Sequence, residues 1–378
     1  MKTIKRAAFV LLAAILLLSF SGCGNTSWSA KYDGKTLKAG IYTYYMLNAY
    51  YQAANMVTDT QSDPLTQQVE GKDASEWIKE KTMQAIAIHF AAEKKAKEMN
   101  VSLTEEEKAA AVTETDSAWS QSKAMFEGNY IAKESLLACV ESGKLQEKLF
   151  KAMYAKGGTE EISEATIRES YMSLTMISET LGTLKEPTPA TEDAAEVPLT
   201  DEEKAENTKI EEKNKKIKDL FQELYTEFEK KTDENAFKDI YTLYVTKINE
   251  IRKDEENYTE KKAEDLPTAQ PFPLKPDEEQ EASLDEDMKK VYTGLREQTN
   301  DKAAIYETKT AMFFGVKADA YKDAAFMESY EMQLLDELKG EDFSKMLEDL
   351  AATFKESIVY NDTLVKRYSA KKLYFPVQ

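Results

Sequence analysis

What most constrains this chain is a helical period that returns segment after segment behind recognisable N-terminal caps. Thr104-Glu105-Glu106-Glu107 and Thr200-Asp201-Glu202-Glu203 each place a hydroxyl three residues ahead of a carboxylate. In that arrangement each side chain satisfies the other's backbone N–H at a helix start. Asp73 with Glu76, and Ser163, mark two further starts. Behind these caps the apolar residues recur every three to four positions. They are Ile41, Tyr44, Tyr45, Leu47 and Tyr51 in 39–54; Ile78, Ala85, Ile86, His89, Phe90 and Ala96 in 73–99; and Leu136, Cys139, Val140, Leu145, Leu149, Phe150 and Met153 in 131–154. Ile210, Ile217, Leu220, Phe221, Leu224 and Phe228 continue the pattern after Thr200. Shorter helices are expected at 162–171, 236–251 and 288–296, and two more at 321–338 and 343–354, separated by Gly340. Strand signals are sparse. Residues 174–177 form one, and 303–316, alternating and rich in Ile, Tyr, Thr and Phe, read as another. The fold class is therefore α+β, predominantly α.

Between these segments lie stretches with no core of their own. Residues 185–195 carry Pro187 and Pro189 among small and acidic side chains, and 252–287 carry Pro267, Pro271, Pro273 and Pro276. The acidic residues from Glu278 to Asp287 lack the spaced Asp/Asn loop with a central Gly that calcium requires, so they read as a solvated charge run.

The first residues are of a different kind. Lys2, Lys5 and Arg6 precede an apolar run from Ala7 to Phe20, followed by Ser21, Gly22 and Cys23. This is the order of a secretory signal peptide, and the run is shorter than the about 20 apolar residues a membrane span needs. Small residues directly before a cysteine resemble the lipobox of bacterial lipoproteins, with Phe20 where that motif usually has Leu. The resemblance implies cleavage after residue 22, acylation of Cys23 (palmitate among the acyl chains), a tether over residues 23–30, and attachment to the outer face of the cell membrane. Two or more acyl chains make such anchoring stable.

Composition removes several classes of function. Loss of Lys2, Lys5 and Arg6 takes the formal net charge of −19 three units lower, which argues against nucleic acid as a partner. Repulsion from anionic headgroups leaves lipid, not charge, to hold the chain to a bilayer. The single histidine, His89, excludes every two-histidine metal motif, and its spacing from Glu93 suits a helix-surface pair better than a metal pair. With Cys23 acylated, Cys139 has no disulfide partner and reads as a buried structural thiol. No metal or cofactor is implied.

Several short motifs, taken in order, resemble the parvulin-type foldase lipoproteins of the PrsA and SurA kind. Tyr32-Asp33-Gly34-Lys35-Thr36-Leu37-Lys38 is similar to that family's opening Val-Asn-Gly segment, and Ile41-Tyr42-Thr43-Tyr44-Tyr45 to the start of its first helix. Val101 to Glu107 resembles a link between its helices, and Ile162 to Tyr171 the helix that leads into its isomerase domain. Ala236-Phe237-Lys238-Asp239-Ile240 is a weak copy of an isomerase-domain helix. The resemblance implies a helical chaperone domain built from residues 31–160 and 317–378, with a parvulin-like segment, 161–316, inserted between them. It gives the stripe Tyr330, Leu334, Leu338, Leu347, Leu350 and Phe354 a partner in the helices of 39–154.

An active site of that family holds paired histidines beside a Cys or Asp; residues 160–316 contain no histidine and no cysteine. No catalytic residue is carried over, and isomerase activity is expected to be lost. The function implied is a membrane-anchored chaperone for unfolded secreted polypeptides. Tyr42, Tyr44, Tyr45, Met46, Tyr51 and Met56, with Tyr50, are the candidate client-binding residues, because aromatic and Met side chains suit promiscuous apolar contacts. Two alternatives stand beside it: a divergent but active prolyl isomerase, and a non-catalytic surface scaffold with one dedicated protein partner. A homodimer is left open.

Overall fold

The computed structural model of the protein describes residues 27–59, 61–187, 189, 197–233, 235–275 and 282–376. The expected signal segment and Cys23 lie outside the described residues. In chain order the elements are β1 (Trp28–Tyr32), β2 (Lys35–Lys38), α1 (Ala39–Met56), β3 (Gln68–Val69), β4 (Lys72–Asp73), α2 (Ala74–Met99), α3 (Glu105–Gly128) and α4 (Lys133–Tyr154). Then come α5 (Glu164–Ser170), β5 (Tyr171–Thr180), α6 (Asp201–Phe228), α7 (Ala236–Arg252), β6 (Gln270–Pro273) and α8 (Glu286–Glu297). The chain continues through β7 (Lys302–Glu307), β8 (Ala311–Ala318), α9 (Ala324–Ala352), β9 (Val359–Tyr360) and α10 (Asp362–Arg367). No helix among the described residues is long and apolar enough to cross a membrane. The protein is predominantly α, with small antiparallel sheets.

The caps form as their chemistry requires. Thr104 and Thr200 each make the reciprocal capping box with Glu107 and Glu203. Asp73 accepts from the backbone N–H groups of Ser75 and Glu76, and Ser163 accepts from Thr166.

The chain divides into two units. One runs to Glu161 and resumes at Glu337; the other is Ile162–Asp336. The upper boundary thus falls inside α9 and not after residue 316.

In the first unit, β1 and β2 form a hairpin about Asp33 and Gly34, both with positive φ (45° and 76°). Asn-Gly or Asp-Gly in that conformation gives the tight turn whose twist matches the flanking strands. β9 pairs antiparallel with the other edge of β1, Ala30 opposite Tyr360 and Lys31 opposite Val359. Asn361 fixes this join: its side-chain amide donates to the Trp28 carbonyl at 2.9 Å and its oxygen caps α10. Trp28, Ser29 and Ala30, expected to belong to a tether over residues 23–30, are sheet residues, with Ser29 fully buried. Helices α1, α2 and α4 pack on one another. Gly40 lets α1 approach α4 closely, since a Cβ there would lie 2.6 Å from Ser135 Oγ. From the C-terminal part, Phe343 meets Phe150 edge-on at 5.3 Å, and Phe354 stacks on Tyr32 at 4.2 Å.

In the second unit the strands run β6-β5-β8-β7, all antiparallel. Alternation along β5 divides its side chains between two faces. Ile177 and Leu181 pack with Phe314 under α6 and α7, against Leu220, Phe221, Tyr244 and Ile248. Met172 and Leu174 lie on the opposite face, under Val291 and Leu295 of α8.

Three expectations are corrected here. The run 303–316 is not one strand but the hairpin β7–β8. Its turn is made by the Thr308 hydroxyl, which accepts from the N–H groups of Thr310 and Ala311, so no Gly, Pro, Asn or Asp announces it. Helix α9 continues through Gly340 instead of breaking there; a mid-helix Gly costs only about 1 kcal/mol, which burial of Phe343 and Leu347 offsets. Finally, the Pro-containing stretch 252–287 supplies a strand, β6. Pro271 and Pro273 are tolerated because β6 is an edge strand, paired with β5 alone.

Candidate functional site

Helix α1 carries all the residues proposed from sequence for client contact, and the fold divides them. Tyr42 and Met46 point into the core at 1% and 3% exposure, so they hold the helix down and offer a client nothing. Desolvation raises the Tyr42 hydroxyl pKa to about 12. Tyr44 is half-buried against a cluster of Leu47, Phe126, Ile131 and Leu136. Tyr45 is also half-buried, its hydroxyl 2.8 Å from His89 Nδ1. Only Tyr51 and Met56, at 44% and 49% exposure, present large apolar surface to solvent.

Tyr51 is not isolated. Tyr50 and Tyr51 meet edge-on at 6.0 Å, and Phe375 lies over both, 4.7 Å from Tyr50 and 6.0 Å from Tyr51. The Tyr51 hydroxyl donates to Met125 Sδ at 3.3 Å. Tyr374 and Phe375 are themselves 46% and 37% exposed. These rings form a continuous aromatic surface where the last turns of α1 and α3 meet the segment after α10.

That segment is held by one side chain that sequence reasoning missed. Asn129, which caps α3 and is buried, donates from Nδ2 to the Tyr374 carbonyl at 2.8 Å and accepts the Tyr374 N–H on Oδ1 at 2.8 Å. Its Nδ2 also lies 2.8 Å from the Met125 carbonyl. No local pattern marks Asn129, since its partner lies 245 residues on.

A cleft of ≈730 Å³ opens between the β1–β2 hairpin and helices α2 and α4, with Phe90, Leu103 and Leu145 among its walls. His89 lines it, buried, and desolvation lowers its pKa, with Glu93 opposing and Lys35 adding to the shift. Lys35 and Glu93 pair across the mouth at 2.8 Å. Glu93 therefore pairs with Lys35, while His89 is buried against Tyr45, so the two do not form the helix-surface pair that their spacing suggested. Cys139 is buried, and desolvation raises its thiol pKa to about 12, so the neutral thiol persists at physiological pH. Among the described residues no group of three or more His, Cys, Asp or Glu side chains could hold a metal.

Among the described residues of the second unit, Lys317 on β8 is buried and donates to the Arg296 carbonyl at 2.7 Å, and the other buried charged group is Glu179 on β5. It accepts a short hydrogen bond from the Tyr244 hydroxyl and pairs with Arg252 at 2.7 Å and Lys261 at 3.6 Å. Burial first, then the hydrogen bond to Glu179, push the Tyr244 hydroxyl far above its usual range. Arg252 also bonds Thr180 and Glu255. These bonds knit β5 to the end of α7 and build no open site.

No family model matches the chain, and no curated protein matches it. Among solved structures the chain is similar to the foldase protein PrsA from Streptococcus pneumoniae, with 9% identity and a TM-score of 0.31, over 91% of this chain and 98% of that one.

Proposed function

We propose that this protein is a non-catalytic holdase: an extracytoplasmic chaperone, tethered through lipid on Cys23, that shields apolar segments of unfolded secreted chains. The observation that carries this reading is the aromatic surface of Tyr50, Tyr51 and Phe375, with Met56 exposed at the end of the same helix, on a strongly acidic body. Aromatic rings and a flexible thioether offer apolar contact without a fixed shape, which suits clients that share no sequence. A large net negative charge keeps a loaded complex soluble and away from anionic lipid. In this reading the β1–β9 join holds the two ends of the binding unit together, while the inserted sheet unit acts as scaffold. Isomerase catalysis is not proposed, because residues 160–316 hold neither histidine nor cysteine.

The test is aggregation of a chemically unfolded client in the presence of the protein. A several-fold excess is expected to suppress light scattering, and Tyr51→Ser with Met56→Ser to weaken suppression at least threefold at unchanged stability. No suppression by the wild type would refute the holdase reading.

A further inference from the structure

After a single 3-10 turn at Ala370–Lys372, the segment Leu373–Pro376 lies on the aromatic surface in the way a bound peptide would. Its backbone is captured at Tyr374, where one buried amide, that of Asn129, reads both the N–H and the C=O of a single residue. Such a contact is blind to side-chain identity and fixes only an extended strand of main chain. Flanking side chains supply apolar contact: Leu373 packs against the cluster around Phe126 and Leu136, and Phe375 lies across Tyr50 and Tyr51. Between the two, the Tyr374 ring sits where Gly128 leaves room, since a Cβ on Gly128 would fall 2.1 Å from the ring. Beneath the segment remains a cavity of ≈310 Å³ floored by Thr43 and Met46. A segment that had evolved purely as core would close that space and would not leave its two aromatic rings more than a third exposed.

We infer that the groove between α1 and the end of α3 is a site for extended polypeptide with the pattern apolar–aromatic–aromatic, and that Leu373-Tyr374-Phe375 occupies it as an intramolecular stand-in. The inference rests on the holdase reading and names what regulates it: a client engages by displacing the strap, exchanging one Asn129-held backbone for another. The backbone bonds are conserved in the exchange, so the affinity for a client is set by how much more apolar surface it brings than the strap does.

The test uses the full chain and a fluorescent peptide with the sequence of residues 368–376, with a scrambled peptide as control for its positive charge. In Tyr374→Gly/Phe375→Ser the strap loses its rings and the groove opens. This variant is expected to bind the peptide at least tenfold more tightly than the wild type, by fluorescence anisotropy. Adding Asn129→Ala is expected to return binding to the wild-type level. So is adding Gly128→Ala, which favours the helix while filling the space for the Tyr ring. It therefore serves where Asn129→Ala fails to fold. Equal binding by the wild type and the strap variant, or tight binding that survives both Asn129→Ala and Gly128→Ala, would overturn the inference. Suppression of client aggregation without groove binding of the peptide sinks the strap and leaves the holdase. Peptide capture without suppression does the reverse.

Discussion

His89 is held where a charge is least welcome. Its ring is buried between Tyr45 and Phe90, with Nδ1 bonded to the Tyr45 hydroxyl and the Lys35–Glu93 pair one turn away. Burial lowers its pKa below the ordinary 6.5. As pH falls through 6.5 the unfolded chain takes up the proton and the folded chain resists it. Its contribution to stability is thus fully present above 6.5 and is lost as pH falls toward the folded value. One proton sets a ceiling of about 1.4 kcal/mol per pH unit on that slope. No other histidine exists to blur it, and unperturbed carboxylates titrate near 4. Urea midpoints measured from pH 7.5 to 5 are expected to fall for the wild type and to stay nearly level for His89→Gln. An unchanged slope in the variant would mean that His89 is not the group responsible. The same residue scale explains why the site was only half legible. Tyr42 and Tyr51 are alike in sequence, both aromatic on one helix. Which of them faces inward depends on where α2 and α4 lie, and nothing local encodes that. Asn129 was invisible for a similar reason, since its worth lies in a partner far along the chain.

At the scale of elements, the helix starts were legible because capping is a contract between residues three apart. Thr104 with Glu107 and Thr200 with Glu203 keep it. The β7–β8 turn was not legible, since Thr308 makes it with a hydroxyl that the usual turn residues do not announce. Nor was β9, two residues long, whose pairing with β1 no periodicity foretells. Helix packing gives a further prediction. Gly40 and the buried Ser135 set the spacing of α1 and α4. Gly40→Ala should cost about 1–3 kcal/mol by overpacking, despite the better helix propensity of Ala. Adding Ser135→Gly should return part of that loss, so that the double-mutant cycle shows a coupling above about 0.5 kcal/mol. Additive changes in urea unfolding would show that the two helices are not in close contact there.

At the scale of the molecule, the division into two units gives the account its shape. The first unit takes its sheet from both ends of the chain, β1 and β2 from one and β9 from the other, and Tyr32 stacks on Phe354 across the same join. The aromatic surface has the same dual origin, with Tyr50 and Tyr51 on α1 and Tyr374 and Phe375 some 320 residues later. Helical content could be read from periodicity, and Ser163 marks the helix just inside the start of the second unit at Ile162. The insertion's end could not, because α9 runs across it without a break. The most direct test places a photo-crosslinking amino acid at position 51 or 56 and, as controls, at Val112 and Val197, which are at least as exposed as Tyr51. The protein is then irradiated with a client unfolding beside it. Adducts concentrated at 51 and 56, and reduced by excess strap peptide, are the result predicted. Adducts spread evenly over all four positions, or none at 51 and 56, would contradict the claim that unfolded chains are held on the aromatic face of α1.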